Sequence, residues 1–395
     1  MCRVWALSVV SLGLLAGAVR GQETPKGVGV RSGDKADEPV LSLETGGHTA
    51  VCRWLEFTPD GRTLISLGDD KVVRLWDVSD PASPRLDRSL RLQIGPGSEG
   101  MLYAGAVSPD GRWLAVGGYP SACGIKLLDL TSGEVAAVLR GHSNVINGLA
   151  FSPDGAWLAS ASSDQTLRVW DVGSVKGELR SEKDVLSVVL KGHSDDVYGV
   201  AWLPVSPLAP RKDADALSRS ERRQYRLVSG SFDDTGRLWE RQADGSWKTI
   251  ATLTGHTNDV YEVACSPDGR WIATSSKDRS VRLWNADGRF EKVLGTKPGS
   301  FPTPPAIDFS PDSRWLVAAD KDGKRGGAVV WSVPDGKQVS RFDGHDQTVF
   351  RAKFSPQSSR HAPRAAADVA KSVQTGVSEA ADGTRRGCDF FEDGE

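Results

Sequence analysis

Asp, His and a hydroxyl residue stand together four times in this chain, at fixed intervals and each time with a tryptophan. The sets are His48, Ser66, Asp70 and Trp76; His142, Ser160, Asp164 and Trp170; His193, Ser229, Asp233 and Trp239; and His256, Thr274, Asp278 and Trp284. Asp always lies six residues before Trp, and Ser or Thr four before Asp. A carboxylate, an imidazole and a hydroxyl brought together are the equipment of a nucleophilic hydrolase, in which the imidazole takes the hydroxyl proton and the carboxylate orients the imidazole. A catalytic set occurs once per active site, however, and this one recurs with its tryptophan included. The competing reading is a buried network in which indole N–H, hydroxyl, imidazole and carboxylate satisfy one another. Repetition favours the network, with structural rather than catalytic work for all sixteen residues.

An enzyme would need an unrepeated cluster of acid, base or metal ligands in one place. Outside the repeats only His361 remains of the six histidines, and no such cluster stands near it in sequence. No C-x-x-C occurs, so neither a zinc knuckle nor a haem attachment site is expected. Asp320-Lys321-Asp322-Gly323 lacks the third acidic ligand and the closing Glu of a calcium loop and reads as a β-turn. The chain is therefore read as non-enzymatic, with no catalytic residue, cofactor or metal. A hydrolase, lyase or dehydrogenase is the rival, and an envelope-polysaccharide binder a third reading.

The elements that position the sets are short strands. Five of the histidines follow a glycine, at Gly47, Gly141, Gly192, Gly255 and Gly344, and Trp76, Trp170 and Trp284 each lie 28 residues beyond their histidine. From His193 to Trp239 the interval is 46, so that unit carries an insertion, about 204–225. The insertion is rich in both Arg and Asp and reads as a solvated loop. A period in the forties signals an array of supersecondary units. In the third unit, Leu149-Ala150-Phe151, Trp157-Leu158-Ala159-Ser160 and Thr166-Leu167-Arg168-Val169-Trp170 are separated by Ser152-Pro153-Asp154-Gly155 and Ser163-Asp164. Such apolar segments between Pro-Asp-Gly and Asp turns are strands joined by tight reversals.

Gly-His, Ser-Pro-Asp-Gly and Trp-Asp at constant spacing resemble the WD40 repeat family, over roughly Val40 to the C-terminus. The resemblance implies an all-β, seven-bladed propeller, residues 40–395, with the recurring sets as blade fasteners. The second unit keeps Ser108-Pro109-Asp110-Gly111 but has Leu128 where Trp is usual, and the sixth keeps Ser310-Pro311-Asp312 and Trp331 without Gly-His. A degenerate seventh blade is expected over 345–395, closing at Cys388-Asp389. From Gln357 onward there is no Leu, Ile, Trp or Tyr, so this unit has little to bury, and a disordered tail is the rival reading. By the family pattern the last blade is completed by an N-terminal strand, here Val40–Leu43. Closure matters because it removes exposed sheet edges.

With 49 basic and 51 acidic residues the chain gives no reason to expect nucleic acid as the main partner. No run of about 20 apolar residues spans a membrane. Arg3, the uncharged apolar run Val4–Ala18 and small residues near Gly21 read as a secretory signal over 1–21, with a buried N-terminal strand or helix as the alternative. Residues 22–39 read as a flexible leader, and a secreted or periplasmic protein follows. Cys52, Cys123, Cys265 and Cys388 fall in different repeats and read as isolated thiols.

In this family, partners commonly dock on the face bearing the loop after Gly-His. The residue five positions after each histidine, with its counterparts in the two units lacking Gly-His, runs Arg53, Tyr103, Asn147, Tyr198, Tyr261, Pro305 and Phe350. Three of the five tyrosines fall in this column, and large aromatics and Arg dominate protein-protein hot spots. Arg53, Tyr103, Asn147, Tyr198, Tyr261 and Phe350 are thus the expected binding face of a monomeric scaffold for a protein or peptide partner. The rings could instead plug the channel or pack on neighbouring blades.

Overall fold

Each run of β-branched, aromatic and small residues between Pro-Asp-Gly and Asp turns forms one strand, and four consecutive strands form an antiparallel meander. The computed structural model describes residues 4–7, 47–80, 83–92, 98–119, 124–173, 187–204, 206–207, 223–294, 306–322, 325–345 and 351–356. It contains six four-stranded sheets. In the third, the strands Ile146–Phe151, Trp157–Ser162, Leu167–Asp171 and Ser187–Leu190 lie in sequence order from the channel outward. Second strands are buried along nearly their whole length, whereas the outer strand exposes Val188 and Val189. This gradient arises because the blades stack face to face.

The core lies between blades. Trp54, Leu67 and Leu75 of blade one pack on Leu102, Leu114 and Leu128 of blade two. Ala104 and Leu127 of blade two meet Leu149, Leu158 and Trp170 of blade three. The same interlocking continues from blade three to four, four to five and five to six. Each blade buries its faces only against its neighbours, so stability is shared along the array.

Among the described residues six complete blades stand where seven were expected. The seventh position holds one inner strand, Arg351–Phe354, paired antiparallel with Val4–Leu7, Ala6 opposite Ala352. Gly344-His345, taken as the opening of a seventh unit, ends the outer strand Gln338–His345 of blade six. The physical reason is material: after Pro356 the sequence offers no Leu, Ile, Trp or Tyr to cover a further sheet. Residues 357–395, including Cys388, and Val40–Leu43 lie outside the described residues. Among the described residues, the strand beside Arg351–Phe354 is Val4–Leu7, from within the stretch read as a secretory signal.

Polar ties hold this inner strand in the ring. Ala352 and Phe354 pack on blade six, and the Phe354 amide donates to Asp308 at 2.8 Å. Lys353 Nζ lies 3.2 Å from Asp308, the Arg351 guanidinium pairs with Glu262 of blade five, and Arg351 Nε donates to the Arg53 carbonyl of blade one at 2.9 Å. Burial pushes the Asp308 and Glu56 carboxyls up, while burial at Lys353 is outweighed by Asp308, Glu56 and Glu262, which hold its ammonium charged. One strand thus touches blades one, five and six.

The insertion leaves blade four between its first two strands as a stem, Ser206–Pro207 against Arg223–Gln224, with 208–222 outside the described residues. Asp320–Asp322 sit in a hairpin opposite Gly327, Gly326 and Arg325, and among the described residues no group of ligands could hold a metal. Cys52 and Cys265 are free thiols, with burial raising Cys52 to about 11. Among the described residues no helix is long and apolar enough to cross a membrane.

Lys353→Ala leaves the Asp308 carboxylate without its cation. We expect a loss of about 1–3 kcal/mol, read as a lower thermal midpoint. An unchanged melt would show that Arg351–Phe354 does not hold the ring closed.

Candidate functional site

The four Asp-His-hydroxyl-Trp sets assemble as the spacing predicts. In blade three His142 Nδ1 lies 2.8 Å from Asp164, His142 Nε2 lies 2.7 Å from Ser160 Oγ, and the Trp170 indole donates to that same oxygen at 2.9 Å. Blade four repeats these contacts at 2.7, 2.8 and 2.9 Å, and blade five at 2.8, 2.8 and 2.9 Å with Thr274 as the hydroxyl. In blade one His48 reaches Asp70 at 2.9 Å and Ser66 at 2.8 Å, Trp76 donates to Ser66 at 2.8 Å, and Arg74 adds an ion pair to Asp70 at 2.6 Å. The carboxylate fixes the imidazole proton on Nδ1, leaving Nε2 to accept from the hydroxyl. The hydroxyl therefore donates to His and accepts from Trp.

This is the contact order of a hydrolase triad, with its hydroxyls buried and already hydrogen-bonded. Ser160, Ser229 and Thr274 are fully buried, and the lone pair that would attack holds an indole N–H. Each set joins the loop that enters a blade to the blade's second and third strands. The Asp also accepts the backbone N–H after His, from Ser143, Ser194 and Thr257 at 3.1, 3.2 and 3.2 Å. Burial alone would raise these carboxyls, but hydrogen bonds from His and a neighbouring side chain outweigh it. Asp70 is held at about 2, and Asp164, Asp233 and Asp278 lie well below the ordinary carboxylate range.

Blades two and six show the same logic by substitution. Leu158 stands opposite Trp170, with Ser160 two residues on; in blade two Leu114 stands opposite Leu128 with Val116 two on, and in blade six Leu316 opposite Trp331 with Ala318 two on. Where the Gly-His is missing, the hydroxyl is replaced by a buried apolar side chain. A network with one member lost would strand its remaining polar groups, so the hydroxyl goes with the imidazole.

The column of variable residues has its own structural cause. In each of the first five blades the register between first and second strands skips one residue, and the skipped residues are Arg53, Tyr103, Asn147, Tyr198 and Tyr261. A bulge leaves its extra residue without a cross-strand partner and re-aims its side chain. Neighbouring inner strands meet at this level: a Cβ on Gly148 would lie 2.4 Å from the Tyr198 carbonyl, and one on Gly199 2.7 Å from that of Tyr261.

Their destinations differ. Arg53 forms a two-point pair with Asp69, at 2.9 and 2.8 Å, and lies 5.3 Å over the Tyr103 ring. Tyr198, Phe232 and Tyr261 form one block, with ring centroids 4.7–5.3 Å apart and Tyr198 stacked on Phe232. All three rings are partly exposed. Asn147 is buried and donates to Ser163 and to the Val197 carbonyl, placing it in the seam between blades three and four. Pro305 and Phe350 lie outside the described residues. The Arg351–Glu262 pair escaped sequence reading because it is non-local.

Phe232 was also missed, although a signal for it exists. The residue just before the set's Asp is Asp69, Ser163 or Phe232 where the bulge residue is Arg53, Asn147 or Tyr198, so these three bulge side chains each meet a chemically matched partner in their own blade.

A family model described as "WD domain, G-beta repeat" matches residues 38–77, 133–171, 184–240, 247–285 and 300–324, just over half of the 395 residues. A guanine nucleotide-binding protein subunit beta of Zea mays is 26% identical over 296 residues, covering 72% of this chain and 69% of that protein. The Arabidopsis thaliana protein of the same name is 28% identical over 262 residues, 63% of this chain and 60% of its own length. A probable cytosolic iron-sulfur protein assembly protein 1 of Chaetomium globosum is 35% identical over 162 residues; the match spans 41% of this chain and about a third, 32%, of that protein.

Trp170→Phe removes one indole N–H and leaves Ser160 short of a donor. It should cost about 1–3 kcal/mol of stability, and a normal melting curve would count against the network. The depressed carboxyls contribute stability that is present above the unfolded Asp value near 3.8 and is lost as pH falls through their folded values. The melting temperature should therefore drop below pH 4, and Asp70→Asn should remove part of that dependence toward pH 2. A flat acid limb in the parent protein would contradict this.

Proposed function

The chain belongs to the WD40 repeat family, and on that premise we propose a non-catalytic, exported scaffold that docks a protein or peptide partner on the face bearing the Gly-His loops. The observation that carries this reading is the bulge column. The fold repeats its buried polar sets but varies Arg53, Tyr103, Tyr198 and Tyr261, the residues it turns out of register around the channel mouth. Partly exposed Tyr and Arg on a rigid sheet edge are suited to anchoring a partner. Asn147, spent on the seam, is not part of the docking surface. The names of two relatives describe a subunit and an assembly protein, which accords with service inside larger complexes. Against catalysis stands the condition of the hydroxyls, buried and occupied by indoles.

Export is proposed from Arg3 and the uncharged run Val4–Ala18. If the N-terminus is removed at Gly21 or Ala18, Arg351–Phe354 loses its paired strand.

Tyr198→Ala combined with Tyr261→Ala should fold and lose at least tenfold in recovery of its partner from an extracytoplasmic extract. Unchanged recovery, or a protease-resistant polysaccharide as the captured material, would overturn the protein-docking reading. Mass spectrometry of protein recovered from cells should show the chain without residues 1–21 or 1–18, and an intact Met1 would contradict export.

A further inference from the structure

The docking face is chemically uneven, and its unevenness indicates the charge of the partner. Arg53 of blade one is neutralised by Asp69, and Arg351 by Glu262 of blade five. In blade four, aspartates with no such partner stand on the loop hydrogen-bonded to Phe232 and two residues after it. Asp195 and Asp196 lie on the loop entering blade four, and Asp234 on the turn after its second strand. The Phe232 amide donates to the Asp196 carbonyl at 2.9 Å and Ser231 Oγ to the Asp195 carbonyl at 3.2 Å, which fastens the acidic loop beside the Phe232 ring. Among the described residues no basic side chain pairs with the Asp195, Asp196 or Asp234 carboxylate.

The turn does not demand an acid. Asp234 has φ 64°, and the equivalent positions in blades one, three and five are Lys71, Gln165 and Arg279 at φ 64°, 67° and 67°. Side chains of either charge or none stand in this left-handed site, so the carboxylate beside the rings is a particular property of blade four. Burial and the Asp259, Asp233 and Asp278 carboxylates raise the Asp234 carboxyl, the mark of a negative local field. Asp233 and Asp278 are committed to His193 and His256, and Asp259 lies 3.5 Å from the exposed Lys277. Lys277 and Arg279 stand in blade five at the positions that Phe232 and Asp234 hold in blade four.

We propose that the Tyr198–Phe232–Tyr261 block, with Asp195, Asp196 and Asp234 as counter-charges, is the subsite for a lysine or arginine side chain on an extended segment of the partner protein. Aromatic rings attract a cation through their quadrupole, and carboxylates at the rim add direct charge attraction. The proposal rests on the docking reading above and gives that face a ligand class.

The test uses the full chain and acetyl-(Gly-Lys)5-amide, with the Arg and Glu analogues, titrated by calorimetry. The Lys and Arg peptides should bind saturably and the Glu peptide not at all. Asp196→Asn with Asp234→Asn should weaken binding about tenfold, as should Tyr198→Ala with Phe232→Ala, while Asp60→Asn with Asp268→Asn, in the turns between first and second strands at the opposite end of the blades, should leave it unchanged. Equal affinity in parent and Asp196→Asn/Asp234→Asn proteins, or non-saturable binding that follows bulk charge, overturns the proposal. The two readings also fail differently. Natural-partner recovery lost in Tyr198→Ala/Tyr261→Ala but kept in Asp196→Asn/Asp234→Asn keeps the face and rejects the cation; recovery kept in both rejects the face.

Discussion

In four of the six described blades one buried hydroxyl ties the blade together. Ser160 donates to His142 and accepts from Trp170, and through His142 it reaches Asp164, which in turn holds the backbone of the entering loop. Each member satisfies another, so the price of burying four polar groups is met within the set. Because the set ties the loop before a blade to strands inside it, it fixes where the next inner strand begins. The angular order of the ring follows from that register.

The same register explains why each bulge side chain leaves the ladder. Inner strands approach so closely at Gly148 and Gly199 that side chains there would meet the neighbour's backbone. A one-residue bulge immediately before turns a side chain out of the ladder, where its size and charge cost the blade little. Arg53 with Asp69, Asn147 with Ser163 and Tyr198 with Phe232 are three answers to one geometric position. Conserving the fastener and varying the bulge lets one scaffold present many surfaces. In the proposed docking reading, fold and function occupy different residues, and the fold does not dictate the partner.

Much of this was readable from spacing. The sixteen fastener residues were legible because their period is set by strand and turn lengths, and the column followed from the same period. The blade count was not. Gly344-His345 and Ser355-Pro356 resemble a unit's opening, but a motif marks one strand or turn, whereas a blade needs apolar mass on four strands. The sequence after Pro356 lacks that mass, and the inner strand is instead held by Arg351 and Lys353 on carboxylates from other blades. Such pairs join residues 45 and 89 positions apart, and periodicity says nothing about them. Asn147 shows the complementary limit: its place in the column was right, but a polar side chain at a bulge can turn inward to the seam as readily as outward.

The central claim is that hydroxyl and indole act as one unit rather than as separate contributors to packing. A double-mutant cycle in blade four, with Ser229→Ala, Trp239→Phe and the pair, measures this directly, because Trp239 donates to Ser229 at 2.9 Å. The account predicts strong non-additivity, the pair costing little more than either single change, with a coupling of about 0.5–3 kcal/mol. Additive losses would show that the two residues stabilise the blade independently and that the recurring sets are not networks.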